Sequence, residues 1–201
     1  MSELLAFVTL GFHHITDLEA LDHILFLLAL AAIYRGRDWR DSLWVITAFT
    51  VGHSVTLALA VTGTLRLPTA LIEFLIPVTI VVTGLENILV RRRERAPLRG
   101  RYRPIFAGVF GLVHGAGFAN YLSSLFTGSI ALPLLGFNVG IELGQLVVLG
   151  LAGVGLAALD RGLALLRSPV AIPSVFRVRV LAVSAVVVLV AARMAASRLP
   201  W

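Results

Sequence analysis

Imidazole and carboxylate side chains stand where a chain this apolar has least reason to keep them. His23 follows Asp22 directly, His53 lies between Thr50 and Thr56, His114 sits in the run GLVHGAG, and Asn138, Glu142 and Gln145 recur at i, i+4 and i+7. On a helix the last three form one stripe. An ionisable group in hydrocarbon costs at least about 2.5 to 3.5 kcal/mol, so each should face a bundle interior and meet a partner. Asp22, His23, His53, His114 and Glu142 are therefore the candidate ligands of one buried divalent transition metal ion. Nitrogen and oxygen donors of this kind suit nickel, cobalt, zinc, iron or copper and do not choose among them. The chain has no cysteine, which excludes thiolate ligation and disulfides together.

A second circle of polar residues surrounds this set. Asp17, His14 and Glu73 belong to the outer entrance, Asn138 and Gln145 flank Glu142, Ser54 follows His53, and Glu86 lies deeper, toward the opposite end of its run. Each has a plainer reading. A lone histidine inside a membrane can serve as an interhelical hydrogen bond that fixes packing, Asp22 as a helix cap, and His13 and His14 as groups in water or headgroups. Glu86 with Asn87 can tie down Arg91 or Arg92. Several such groups at one depth on four helices are more economically one site. The dipole at the start of its helix further favours Asp22 as an anion.

The elements that must carry these residues are apolar and long. Of 201 residues, 58% are hydrophobic and 14% charged, and the mean hydropathy is +0.93, values that place the chain in a bilayer. Runs near 19–35, 43–63, 69–90, 104–126, 132–159 and 178–197 approach the roughly 20 residues that cross a membrane. The expected fold is an all-α polytopic bundle of about six transmembrane helices, with a short interfacial or re-entrant helix over 4–18. No linker or repeat interrupts it, so residues 1–201 form a single integral membrane domain. Gly136, Gly140 and Gly144, with Gly111 and Gly115, read as helix-packing surfaces. Glycine-rich faces of this kind also offer contact between copies of the chain.

The formal charge is +6, but the basic residues are all arginine and sit in short loops, which argues against nucleic acid and for membrane lipid as the partner. Stretches 35–41, 91–103 and 160–179 hold fourteen of the seventeen arginines. The positive-inside rule then places these loops in the cytoplasm and both termini outside an inner, cytoplasmic membrane. The N-terminus lacks the basic and small-residue features of a cleaved signal.

Four blocks together carry a resemblance: GFHHITDLEALDHILFLLAL at 11–30, TAFTVGHSVTLALA at 47–60, GLVHGAGFAN at 111–120 and FNVGIELGQL at 137–146. In order and spacing they look like the HupE/UreJ family of hydrogenase and urease accessory membrane proteins, whose members are regarded as nickel or cobalt permeases. The resemblance implies that Asp22, His23, His53, His114 and Glu142 occupy the family's functional positions. His14 precedes Asp22 by eight residues, where the hydrogenase-linked members place a histidine six before, so the chain is more similar to the second branch.

Two functions follow. A permease would collect the ion at the outer mouth, replace its hydration shell at His53, His114, Asn138 and Glu142, and deliver it past Glu86. An intramembrane zinc-type hydrolase would use His23, His53 and His114 as ligands, Asp22 or Glu142 as acid/base, and Ser54 nearby. A polar path continuing past Glu86 favours the first, and a site closed on the cytoplasmic side favours the second.

Overall fold

Backbone N–H and C=O groups have no water to bond in hydrocarbon, so long apolar runs take the helix, which satisfies them within the segment. The structure, a computed structural model, describes residues 3–34, 38–90, 102–123, 130–165 and 174–200. These form seven helices in chain order: α1 Glu3–Thr16, α2 Leu21–Ile33, α3 Trp39–Val61, α4 Thr69–Val90, α5 Arg103–Ser123, α6 Ala131–Leu165 and α7 Val175–Ser197. The expected all-helical membrane bundle is present. Among the described residues α3, α4, α6 and α7 are long and apolar enough to cross a membrane. The arginine-bearing stretches 35–37, 91–101 and 166–173 lie outside the described residues.

Three pairs of helices run in close contact, α1 with α6, α3 with α5, and α4 with α7, while α2 packs against α4, α6 and α7. Glycine makes the closest approaches. A side chain on Gly140 would fall on the Val8 carbonyl, and one on Gly115 on the His53 carbonyl. The register shows direction: Gly136, Gly140 and Gly144 meet Leu4, Val8 and Ile15 in rising order, so α1 runs parallel to α6. Phe49 and His53 meet Gly111 and Gly115 in the same way, so α3 runs parallel to α5. The glycines expected to offer contact between copies of the chain are thus spent within one copy.

α2 follows the same direction as α1. Its first turn lies beside the end of α1, and the carbonyl of Tyr34, just past its last turn, accepts a bond from Arg179, which also pairs with Asp160 near the far end of α6. At 1.5 Å per residue α1 is about 21 Å long and α2 about 20 Å. Neither alone covers about 30 Å of hydrocarbon. The run at 19–35 forms a short helix of 13 residues, and α1 precedes it along α6 in the same direction.

The arginine-rich end is tied by ions. Arg103 binds the Glu86 carboxylate and donates to Asn87 Oδ1 at 3.1 Å, and the Asn87 amide donates to the Ala29 carbonyl at 2.7 Å. Tyr102 donates its hydroxyl to Glu86. Above this layer the core is aromatic, with Phe26 and Phe49 stacked at 4.9 Å.

Candidate metal centre

The break between α1 and α2 brings two histidines together. α1 ends where Asp17 takes over the turn: its N–H donates to the His13 carbonyl, its carboxylate accepts the Glu19 N–H at 2.9 Å, and its carbonyl accepts the Ala20 N–H at 3.2 Å. Asp17 is exposed and builds the corner rather than the site. Across this corner the rings of His14 and His23 lie 4.5 Å apart, centroid to centroid. From α3, held in register by the glycines of α5, His53 approaches His14 at 6.1 Å. From α5 itself, His114 approaches His23 at 5.6 Å.

Ligand nitrogens of His14, His23 and His53 all fall within 4.8 Å of one another. Two imidazole nitrogens on one ion are at most about 4.2 Å apart, so small ring rotations bring the three onto a common centre. His53 is fully buried, His114 is 2% exposed and His23 is 7% exposed. In this pocket His14 Nε2, both nitrogens of His23, both of His53, and His114 Nε2 have no hydrogen-bond partner. Buried polar atoms are almost always satisfied, and each orphan costs about 1 to 3 kcal/mol. A neutral imidazole offers one lone pair, so the four rings present at most four nitrogen donors to a ligand in this pocket.

Neighbouring groups orient the rings. His114 Nδ1 lies 2.9 Å from the Phe110 carbonyl; a carbonyl only accepts, so Nδ1 carries the proton and Nε2 presents its lone pair to the pocket. Asp22 Oδ1 lies 3.1 Å from His23 Nδ1, short of a linear hydrogen bond, and also accepts the His23 backbone N–H at 3.0 Å. Ala20 occupies the cap position of α2, so Asp22 is not the N-cap but stands in the first turn. Phe118 and Phe137, stacked at 5.3 Å, pack against His14.

The sequence-predicted residues divide accordingly. Asp22, His23, His53 and His114 come together, and His14, placed in the second circle from sequence, joins them as a member of the tight trio. Glu142 is half-buried on α6 beside the fully buried Ile141 and lies outside that trio. Gln145 is buried and its Oε1 is 3.0 Å from the Thr50 hydroxyl, tying α6 to α3. Asn138 keeps a buried Oδ1 without a partner. Ser54 donates to its own helix at the Thr50 carbonyl, 2.6 Å away, and Glu73 is exposed on α4. Glu86 is bound by Arg103 and Tyr102, not free to receive an ion as the permease scheme would have it.

One neighbour of the site was invisible in the sequence. Arg198, just past the end of α7, places Nη1 3.8 Å from Asp22 Oδ2. No motif or periodicity links residues 176 positions apart.

The family described as HupE / UreJ protein matches residues 1–195, nearly the whole chain and all seven helices up to the last turn of α7. The chain belongs to the HupE/UreJ family. No curated protein and no solved structure matches it. Its place in this family, which is linked to nickel and cobalt accessory roles, agrees with a cluster of imidazoles inside a membrane bundle.

Proposed function

We propose that this protein is a permease for a divalent transition metal of the nickel or cobalt type, taking the ion as cargo at the histidine site. The observation that carries the reading is the convergence of partnerless imidazole nitrogens from α1, α2, α3 and α5. A donor set dominated by imidazole suits nickel, cobalt, copper and zinc and disfavours magnesium and calcium. A site at the break between two short helices also resembles the discontinuous helices with which transporters hold ions. In this reading Glu142 and Asn138 supply oxygens at the edge of the site. The arginine loops face the cytoplasm of an inner membrane, and the single domain of residues 1–201 has both termini outside.

A second reading is favoured by one feature. Phe49 and Phe26 lie 5.1 and 6.0 Å from the His114 ring, and beyond them Glu86 is taken up by Arg103, so among the described residues an aromatic layer and an ion pair stand inward of the site. A site sealed on one side suits an intramembrane hydrolase. Zinc would there supply Lewis acidity, and Asp22 or Glu142 would hold the proton. Ser54, bonded into its own helix, is poorly placed as a nucleophile.

Metal entry into proteoliposomes separates the two. With nickel, cobalt and zinc offered in turn, the permease reading expects saturable entry that His53→Ala removes together with bound metal. About one metal held per chain without entry would replace it with the hydrolase reading.

A further inference from the structure

Among the described residues Asp22 is the carboxylate paired with an imidazole of the site, and each of its oxygens is turned to another group. Its side chain is only 15% exposed. Oδ1 is turned to His23, accepting the backbone N–H at 3.0 Å and standing 3.1 Å from Nδ1. Oδ2 faces Arg198 Nη1 at 3.8 Å. Arg198 is itself 35% exposed, and its backbone N–H closes the end of α7 on the Ala195 carbonyl at 3.2 Å. It stands three positions beyond the last residue matched by the family.

We infer that Arg198 is a positioning residue that sets metal specificity: by pairing with the second oxygen of Asp22 it keeps this carboxylate behind His23 and withholds one oxygen donor from the metal. The inference rests on the proposed metal site. A carboxylate oriented on a ligating imidazole raises that ligand's basicity and fixes its ring, whereas one that enters the shell adds a hard oxygen donor. Harder cations such as manganese gain from oxygen and lose by its absence. Of the two groups that hold Asp22 among the described residues, His23 is on the same helix and moves with it, and Arg198 anchors it from the end of α7. Without that cation the buried carboxylate loses the partner of its second oxygen, and rotation about its side-chain torsions would turn an oxygen toward the histidine pocket.

The test is titration of the purified full-length protein with nickel and, separately, with manganese, together with the manganese EPR signal. In Arg198→Gln the manganese affinity relative to nickel should rise about ten-fold, the low end of changes from groups that orient metal ligands. Arg198→Lys, which restores the charge, should return the ratio toward that of the unmodified protein, and adding Asp22→Asn to Arg198→Gln should remove the gain. An unchanged ratio in Arg198→Gln, with nickel bound normally by the unmodified protein, overturns the role of Arg198 alone. A gain that survives Asp22→Asn overturns it as well. Failure of the unmodified protein to bind nickel overturns the metal site and this inference with it.

Discussion

At His53 stability and binding pull in opposite directions. Both ring nitrogens are buried without a partner, a cost of about 1 to 3 kcal/mol for each unsatisfied group. His53→Leu stays near the histidine volume and removes both. In the metal-free protein it should raise the thermal midpoint in detergent, by a gain of about 1 kcal/mol or more, while abolishing stoichiometric metal. A lowered midpoint would mean that the nitrogens are satisfied and the pocket is not built for a ligand. The identity of these donors was legible from residue types alone, because histidine among apolar residues needs a reason. The rank of His14 was not. Its chain neighbour His13 points outward and is exposed, and only the corner at Asp17 turns one of the pair toward His23.

Among the helices, backbone contact decides position. α1 is 14 residues long and holds its place through the glycines of α6. Adding a methyl at Gly140 forces backbone apart, so Gly140→Ala should destabilise by about 1 to 3 kcal/mol and weaken metal binding by moving His14. Gly153→Ala, on the same helix with nothing within 4 Å of the added carbon, should change stability by less than about 0.5 kcal/mol. Thermal unfolding of the two variants measures the contrast, and equal effects would contradict the parallel packing of α1 on α6. The small-residue spacing was visible in the sequence. Whether it served packing within one chain or between chains was not, since the same four-residue spacing suits both.

For the molecule as a whole, the question is whether the arginine-rich end is closed by Glu86 and Arg103. Below the aromatic layer lies a cavity lined by Phe26, Thr83, Glu86, Tyr102, Arg103 and Phe110. The chain has no cysteine of its own, so Thr83→Cys gives a single reporter on that wall. Removing one partner of a buried pair leaves the other uncompensated. Glu86→Gln should therefore speed labelling of Cys at position 83 by a membrane-impermeant thiol reagent, about ten-fold for every 1.4 kcal/mol of closure lost. Equal rates with and without Glu86→Gln would show that this pair does not close the end.

Composition and spacing by themselves determined the membrane class, the all-helical fold and the candidate nitrogen donors, because the cost of placing polar groups in hydrocarbon acts on each segment separately. Tertiary structure decided which polar groups share a site. It set α1 and α2 in one direction along α6, brought His14 into the trio, paired Glu86 with Arg103, and set Arg198 against Asp22. Those choices depend on how closely distant helices approach and in which direction they run, and no local spacing in the chain encodes either.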